Sequence, residues 1–450
     1  MKKIKLKEVP GSIIAPQGFR ASGVFCDIKR IGTGKGSNKG RKRDLAMIVS
    51  AAPATAAGMF TTNQVCAAPV KVCVQHLRQG KAQAIVVNSG NANACTGRQG
   101  LRDAFAMTAQ AAKGLGLPTS QVLVGSTGRI GVGLPMTNVA SGIADAIGQL
   151  GDSRLHAAQA AEAIMTSDTR PKQIAVEFQL SGKRVRIGGM CKGAGMIQPG
   201  MSATGARPIA VPNPLMGLHA TMLCFLTTDA AIGVRPLRAA LHEAVAHSFN
   251  RITVDGDMST NDTVLVLANG VAANPEAKLR DQRAPDFVTF RTALQHVCLA
   301  LARMIVRDGE GVHRVVTVRV SGARNSTEAD AAARAVANSS LVKTSWHGGD
   351  PNWGRIIDAL GYSSARVVEE KVDIGYSAPG GKSILWSLRR GQPTRVSFRE
   401  LCAAAAVPEF DLHIRLNLGS GSAVIYAADL TESYVDFNKG DVSDPSSLGG

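Results

Sequence analysis

The chain has 450 residues, 45% of them hydrophobic and 19% charged, with 48 glycines and only 4% aromatics; this excludes a disordered chain, a collagen-like fibre and a small disulfide scaffold. Its 51 basic and 34 acidic residues leave a formal net charge of +17, so nucleic acid, an anionic membrane and an acidic small molecule are the partners to weigh. No uncharged apolar run reaches 18 residues and none follows the basic opening MKKIKLKEVPGS, so the expectation is neither a membrane span nor a secretory leader, and a cytoplasmic location.

In chain order, the basic run Lys29, Arg30, Lys35, Lys39, Arg41, Lys42 and Arg43 is spaced by Gly, Ser and Asn without aromatics, and reads as a solvated loop rather than a single-strand nucleic-acid surface. Strand-like runs at 45–50 and 82–89, a helical pattern over about 98–115 and a strand at 121–126 give an α/β alternation. Residues 134–165 read as two Ala-rich helices, and 172–186 as a strand pair turning at Ser181-Gly182. The Pro/Gly-rich segment 199–218 separates two halves. Beyond it, TMLCFLTTDA (221–230) reads as a buried strand opening at Thr221, followed by helices over about 235–249 and 285–307 and an alternating strand at 313–320. A helix opened by Ser326-Thr327, with Asp330 completing a capping box, precedes a strand-rich stretch at 364–428.

Several familiar signatures fail on inspection. GTGKGS (32–37) lacks the Ser or Thr that a phosphate loop needs after Lys35. His242 and His247 in HEAVAH are five apart and point about 140° from each other on a helix, so they cannot share a zinc ion. His76, His156, His219, His296, His313, His347 and His413 stand alone, and no GxSxG elbow accompanies them. The eight cysteines form no CxxC pair and fit reduced, mostly buried thiols, so no metal ligand, cofactor site or redox pair is expected.

Four Gly/Asn-rich segments, NSGNANACTG (88–97), GSTGRIG (125–131), KGAGM (192–196) and DPNWGR (350–355), are expected to follow apolar strands and to expose backbone N–H groups where those strands end. Thr127-Gly128 could aim a hydroxyl and an N–H at a developing oxyanion, as acyl transfer requires. Thr221 could serve as nucleophile if the Ala220–Thr221 bond were broken, because its new α-amine would supply the base an alcohol lacks.

The same segments, with MTSDTRPKQ (165–173), GGMCKGAGMI (188–197), ATML (220–223), TTDA (227–230), VDGDMSTND (254–262), RDGEGV (307–312) and YVDFN (434–438), resemble the self-cleaving ornithine acetyltransferase (glutamate N-acetyltransferase) family from about residue 10 to 443. The resemblance implies a four-layer α/β/β/α sandwich, distinct from conventional hydrolases with an N-terminal nucleophile. It implies an α chain 1–220 and a β chain 221–450 assembled as α2β2. It further implies that Thr221 takes the acetyl group of N2-acetylornithine as an ester and passes it to glutamate, with Thr127 and Gly128 as oxyanion hole. Thr166, Lys192, Thr221, Glu310, Asn438 and Ser443 fall on substrate-binding positions; Lys192 suits an α-carboxylate and Glu310 the cationic end of ornithine. No bound cofactor, nucleic acid or membrane is implied, while acetyl-CoA is a possible second donor.

The sequence departs from that family in a longer basic loop at 35–43, an insertion of roughly 17 residues within 200–218 and an extension past Ser443. The insertion carries a second Ala-Thr pair, Ala203-Thr204, but Gly205 to Pro208 cannot continue a central strand, which favours Thr221. The rival readings are a self-processing aminopeptidase or amidase, and an anion- or RNA-binding protein in which Thr221 is structural.

Overall fold

The computed structural model describes residues 4–29, 42–206 and 221–439. Ala220, Ser443, most of the 200–218 insertion, the middle of the basic run and the tail therefore lie outside the described residues. The chain divides into two compact units, one formed by residues up to Asn250 with Asp257–Ile305, the other by Arg251–Gly256 with Val306–Lys439.

In the first unit, β1 (Lys7–Glu8), β6 (Lys172–Leu180), β7 (Lys183–Lys192), β9 (Leu223–Thr228), β11 (Thr263–Ala268), β3 (Leu45–Thr61), β4 (Lys81–Asn91) and β5 (Val122–Arg129) lie in that order. Two further strands, β2 (Phe19–Val24) and β8 (Met201–Ser202), pair with β3. The strand β3 reaches this length by bending: its first half runs antiparallel to β2 and β4, its second half to β11. The central strands LCFLTT and TVLVLA are buried at every position, the continuous apolar pattern of strands covered on both faces. Helices α1 (Ala68–His76), α2 (Gly97–Leu115), α3 (Met136–Gly148) and α4 (Arg154–Ala163) bury their apolar stripes in the same core as β2 to β5. The remaining helices of this unit are α5 (Val234–Ala246) and most of α6 (Pro285–Arg307).

The second unit contains a sheet ordered β10 (Ile252–Thr253), β17 (Gly421–Ala428), β12 (Val315–Ala323), β16 (Glu409–Arg415), β13 (Asp373–Ser377), β14 (Leu385–Arg389), β15 (Gln392–Pro393). It carries α7 (Ser326–Asn338), α8 (Ser340–Gly348), α9 (Trp353–Gly361), α10 (Phe398–Ala405) and α11 (Glu432–Asn438). Val316, Val318, Ile414, Ile425, Ala333, Val336 and Trp346 meet in its core. Both units are thus mixed α/β, the class expected, and consistent with a sandwich of the ornithine acetyltransferase type. No described helix is long and apolar enough to cross a membrane.

Several local expectations need correction. The N-cap of α7 is Asn325, whose side chain accepts from the Glu328 N–H at 2.9 Å, while Asp330 pairs with Arg334 and Arg251 instead. The reciprocal capping box lies at Ser397 and Glu400, opening a helix inside the stretch read as strands. DPNWGR follows α8, not a strand, and Asn352 caps α9. Thr221 precedes β9, which starts at Leu223. Lys29, read as part of a solvated loop, is buried; burial pushes its ammonium down to about 8 against the pull of Asp44, and its Nζ donates to the Arg43 carbonyl at 2.6 Å. Arg43 in turn pairs with Glu162 at 2.9 Å.

Lys343 on α8 is also buried, donating to the Ala428 carbonyl. Burial pushes it down to about 8, opposed by Asp255 and Asp429. An unfolded lysine titrates near ~10.4, so between those two values the folded state binds fewer protons and stability rises with pH. Chemical denaturation across that window should show the native protein gaining about 2–3 kcal/mol relative to Lys343→Met. A constant difference between the two proteins would exclude the buried charge as the cause.

Candidate active site

Two parallel strands, β4 and β5, end side by side, with Ser89 opposite Thr127 and Gly90 opposite Gly128. Both glycines have positive φ, 97° and 132°. A Cβ on Gly128 would lie 2.3 Å from the Gly90 carbonyl carbon, so the close approach of the two backbones demands glycine there. Thr127 is buried and belongs to the strand rather than lying beyond it. The loops are stitched by Asn261, whose Nδ2 donates to the carbonyls of Ala92 at 2.7 Å and Ser126 at 2.9 Å.

The neighbouring sheet edge adds the charged group. Lys192 is the last residue of β7 and pairs with Leu223 of β9, which brings it beside the residues just ahead of that strand. Its fully buried ammonium donates to the Thr221 carbonyl at 2.8 Å and to Thr127 Oγ1 at 3.3 Å. Asp168 lies 3.9 Å from it and also takes Lys172 at 2.5 Å, the Gly193 N–H at 2.7 Å and the Thr166 N–H at 3.0 Å. Burial alone would raise the Asp168 carboxyl, but the two ammonium groups and the Gly193 N–H hold it well below the usual carboxylate range. An ionised carboxylate there makes the buried lysines tolerable.

The Thr221 hydroxyl meets the Ser259 hydroxyl at 2.7 Å. Ser259 Oγ accepts the Asn261 N–H at 3.0 Å, and its carbonyl accepts from Thr61 at 2.6 Å, so Ser259 is fixed on both sides. The next residue, Met222, donates its N–H to Asp262 at 3.0 Å and accepts at its carbonyl from Thr263 at 3.2 Å. The cluster thus joins a threonine hydroxyl, a second hydroxyl against it, and an ammonium bonded both to that threonine's carbonyl and to Thr127 at the end of β5.

Residues 21–440 match the family model described as the ArgJ family. The chain belongs to that family. The arginine biosynthesis bifunctional protein ArgJ of Symbiobacterium thermophilum is 45% identical over 430 residues, covering 95% of this chain and 98% of that protein. Its namesake from Bacillus anthracis is 41% identical over 429 residues, covering 95% and 96%. Among solved structures, ArgJ from Bacillus halodurans is 38% identical, covering 45% of this chain and 100% of that one, with a TM-score of 0.41. Ornithine acetyltransferase from Mycobacterium tuberculosis, solved with ornithine, is 37% identical, covering 44% and 100%, with a TM-score of 0.40. As an ArgJ-family member the chain is an acyltransferase of arginine biosynthesis, the activity its motifs led us to expect.

Of the residues expected in an ArgJ site, Thr127, Lys192 and Thr221 share the cluster described, Gly128 adjoins it, and Thr166 joins it through its N–H to Asp168. Glu310 and Asn438 belong to the second unit, where Glu310 is buried and accepts from Asn438 Nδ2 at 3.0 Å. The alternative Thr204 is exposed, its hydroxyl accepting the local Ala206 N–H at 3.3 Å, and residues 203–206 form no strand. Asp168, Lys172, Ser259, Asn261 and Asp262 were not anticipated, although they stand inside MTSDTRPKQ and VDGDMSTND. A recess of about 580 Å³ lined by Lys71, Asn93, Cys95 and Arg98 contains none of the expected site residues.

Gly128→Ala should lower stability by about 2–4 kcal/mol, through the φ of 132° and the contact with Gly90, as read by denaturant unfolding. An unchanged midpoint would show that the two strand ends separate freely.

Proposed function

We propose that the Thr221 hydroxyl attacks the Ala220 carbonyl, shifting that acyl group from nitrogen to oxygen, and that water then opens the ester, giving chains 1–220 and 221–450 that assemble as α2β2 in the cytoplasm. Thr221 then carries acetyl from N2-acetylornithine to glutamate. The observation that carries this reading is the Lys192 ammonium bonded at once to the Thr221 carbonyl and to Thr127 Oγ1.

The Thr221 hydroxyl oxygen attacks the acetyl carbonyl while its proton passes to the α-amine of the same residue. The amine then protonates the departing ornithine nitrogen, leaving an acetyl ester on Thr221. Glutamate attacks the ester with its amine, and the proton returns to the Thr221 oxygen. Because Lys192 donates to Thr127 Oγ1, the hydroxyl proton of Thr127 remains to be donated elsewhere; with the Gly128 N–H it forms the oxyanion pair. The Lys192 charge beside Thr221 also favours the uncharged form of its α-amine, the form that can accept a proton. Ser259 fixes the rotamer of the nucleophile through the 2.7 Å contact. Glu310, steadied by Asn438, offers a carboxylate to the cationic end of ornithine. Thr166 and Ser443 complete the substrate contacts. Lys192 is committed to Thr221 and Thr127, so its service to a substrate carboxylate is secondary to that role. Acetyl-CoA would enter as a second acetyl donor at the same hydroxyl, and none of these steps needs a bound cofactor.

Mass spectrometry of protein incubated with N2-acetylornithine should show two fragments, with one acetyl group on the fragment beginning at Thr221. Thr221→Ala should remain one chain and take no acetyl. An unprocessed, unmodified native protein would overturn the proposal. Ser259→Ala should still be processed but lose about 10–100-fold in kcat, the worth of one positioning hydrogen bond, with KM for acetylornithine nearly unchanged. A loss carried wholly in KM would assign Ser259 to substrate binding instead.

A further inference from the structure

The second unit brings together two histidines that stand alone in the sequence. His313 and His347 place their ring centroids 5.2 Å apart, beside the buried carboxylate of Asp429. One ligand atom from each of the three residues can be chosen so that all lie within 4.8 Å of one another. We propose that His313, His347 and Asp429 form a binding site for a divalent transition-metal ion of the zinc class.

The first support is an oxygen and a nitrogen left over. Among the described residues, Asp429 Oδ2 and His347 Nδ1 are both buried without a hydrogen bond, yet they lie 3.4 Å apart. That separation is long for a hydrogen bond. It matches the edge of a tetrahedron around an ion about 2.0–2.1 Å from each donor. The second support is what orients them. Asp429 Oδ1 accepts the N–H groups of His313 and Arg314, each at 3.0 Å, which turns Oδ2 toward the histidines. His347 places its other ring nitrogen, Nε2, 3.2 Å from Glu432 Oε2. A carboxylate on the far nitrogen of an imidazole is the usual outer partner of a metal-binding histidine, fixing its tautomer and raising its basicity.

The nearby cations do not occupy this corner. Arg314 directs its guanidinium to the carbonyls of Trp346, His347 and Ala406, and Lys343 donates to Ala428. A recess of about 220 Å³ lined by both histidines with Arg314, Ala406 and Pro408 adjoins them, giving room for the water or small anion that a fourth coordination position would take. Two imidazoles and one carboxylate suit zinc and its neighbours better than magnesium or calcium, which favour all-oxygen shells. The three residues take no part in the proposed acyl-transfer steps, although His313 and Asp429 sit on the segments that also carry Glu310 and Asn438.

The test uses untagged, full-length protein stripped with a chelator and titrated with Zn²⁺ against a chromogenic competitor. One ion per 450 residues is expected, whether or not the chain has been cut. His313→Gln and His347→Gln should each weaken binding at least about tenfold, and Glu432→Gln by a smaller factor. His242→Gln, exposed on α5, should bind as the native protein does. Co²⁺ loading should give the intense visible absorption of a four-coordinate ion, lost in the double variant His313→Gln/His347→Gln. Circular dichroism confirms that the variants are folded; His313 is exposed, so its single variant keeps the test available if the double variant unfolds. Absence of saturable Zn²⁺ binding, or equal binding by a folded variant lacking either histidine, overturns the proposal.

Discussion

A lysine ammonium with no solvent exposure is the constraint around which the first unit is arranged. Taking such a charge out of water costs several kcal/mol unless donors and countercharge are placed for it, and removing a partner of a buried pair typically costs about 3–5 kcal/mol. Here the partners come from separate places in the chain: Asp168 ahead of β6, Thr127 at the end of β5 and the Thr221 carbonyl ahead of β9. Each must arrive at the end of β7 for Lys192 to be buried at all. Asp168 is shared with Lys172, and the Lys192 ammonium itself lies against Thr127 and Thr221. A cationic group so placed favours negative charge developing on an acyl oxygen, the direction that the proposed acyl transfer requires.

The parts of this site that could be read from the sequence are those whose local backbone is special. Gly90 and Gly128 mark the touching strand ends because no other residue fits them, and Thr127 is found by standing next to one of them. Thr221 was located through the apolar strand that follows it and through family resemblance. Asp168, Ser259 and Asn261 left no comparable mark: each is a common polar residue whose meaning lies in contacts with residues distant along the chain. The same limit explains Lys29. A lysine beside a Gly-rich basic run looks solvated, and only the fold reveals that Asp44 gathers the backbone N–H groups of Cys26, Ile28 and Lys29 and turns that segment inward. His313, His347 and Asp429 are a third case, since three isolated residues acquire a joint chemistry only through β12, α8 and β17. By contrast, most helices and strands read from periodicity were found, but β2, the second half of β3, α1, β11 and α8 were not anticipated, and short helices such as α9 and α10 are opened by Asn or Ser caps inside loop-like composition.

The position of β9 bears on how a nucleophile could remain accurately placed after the proposed break in the chain. The strand is central, antiparallel to β7 through Leu223↔Lys192 and parallel to β11 through Leu223↔Thr263. Its six residues are all buried. Breaking a backbone bond two residues ahead of such a strand removes one covalent tether but none of these ladder hydrogen bonds, and Met222 keeps its bonds to Asp262 and Thr263. The new terminus would gain freedom only at Thr221 itself. There the Lys192 bond to its carbonyl and the Ser259 bond to its hydroxyl restrict what the break releases. A nucleophile on a free chain end is ordinarily mobile. Mounted at the head of a central strand and held at two of its own atoms, it can combine the basic amine of a terminus with the fixed geometry of a sheet, so the break supplies chemistry without loss of position.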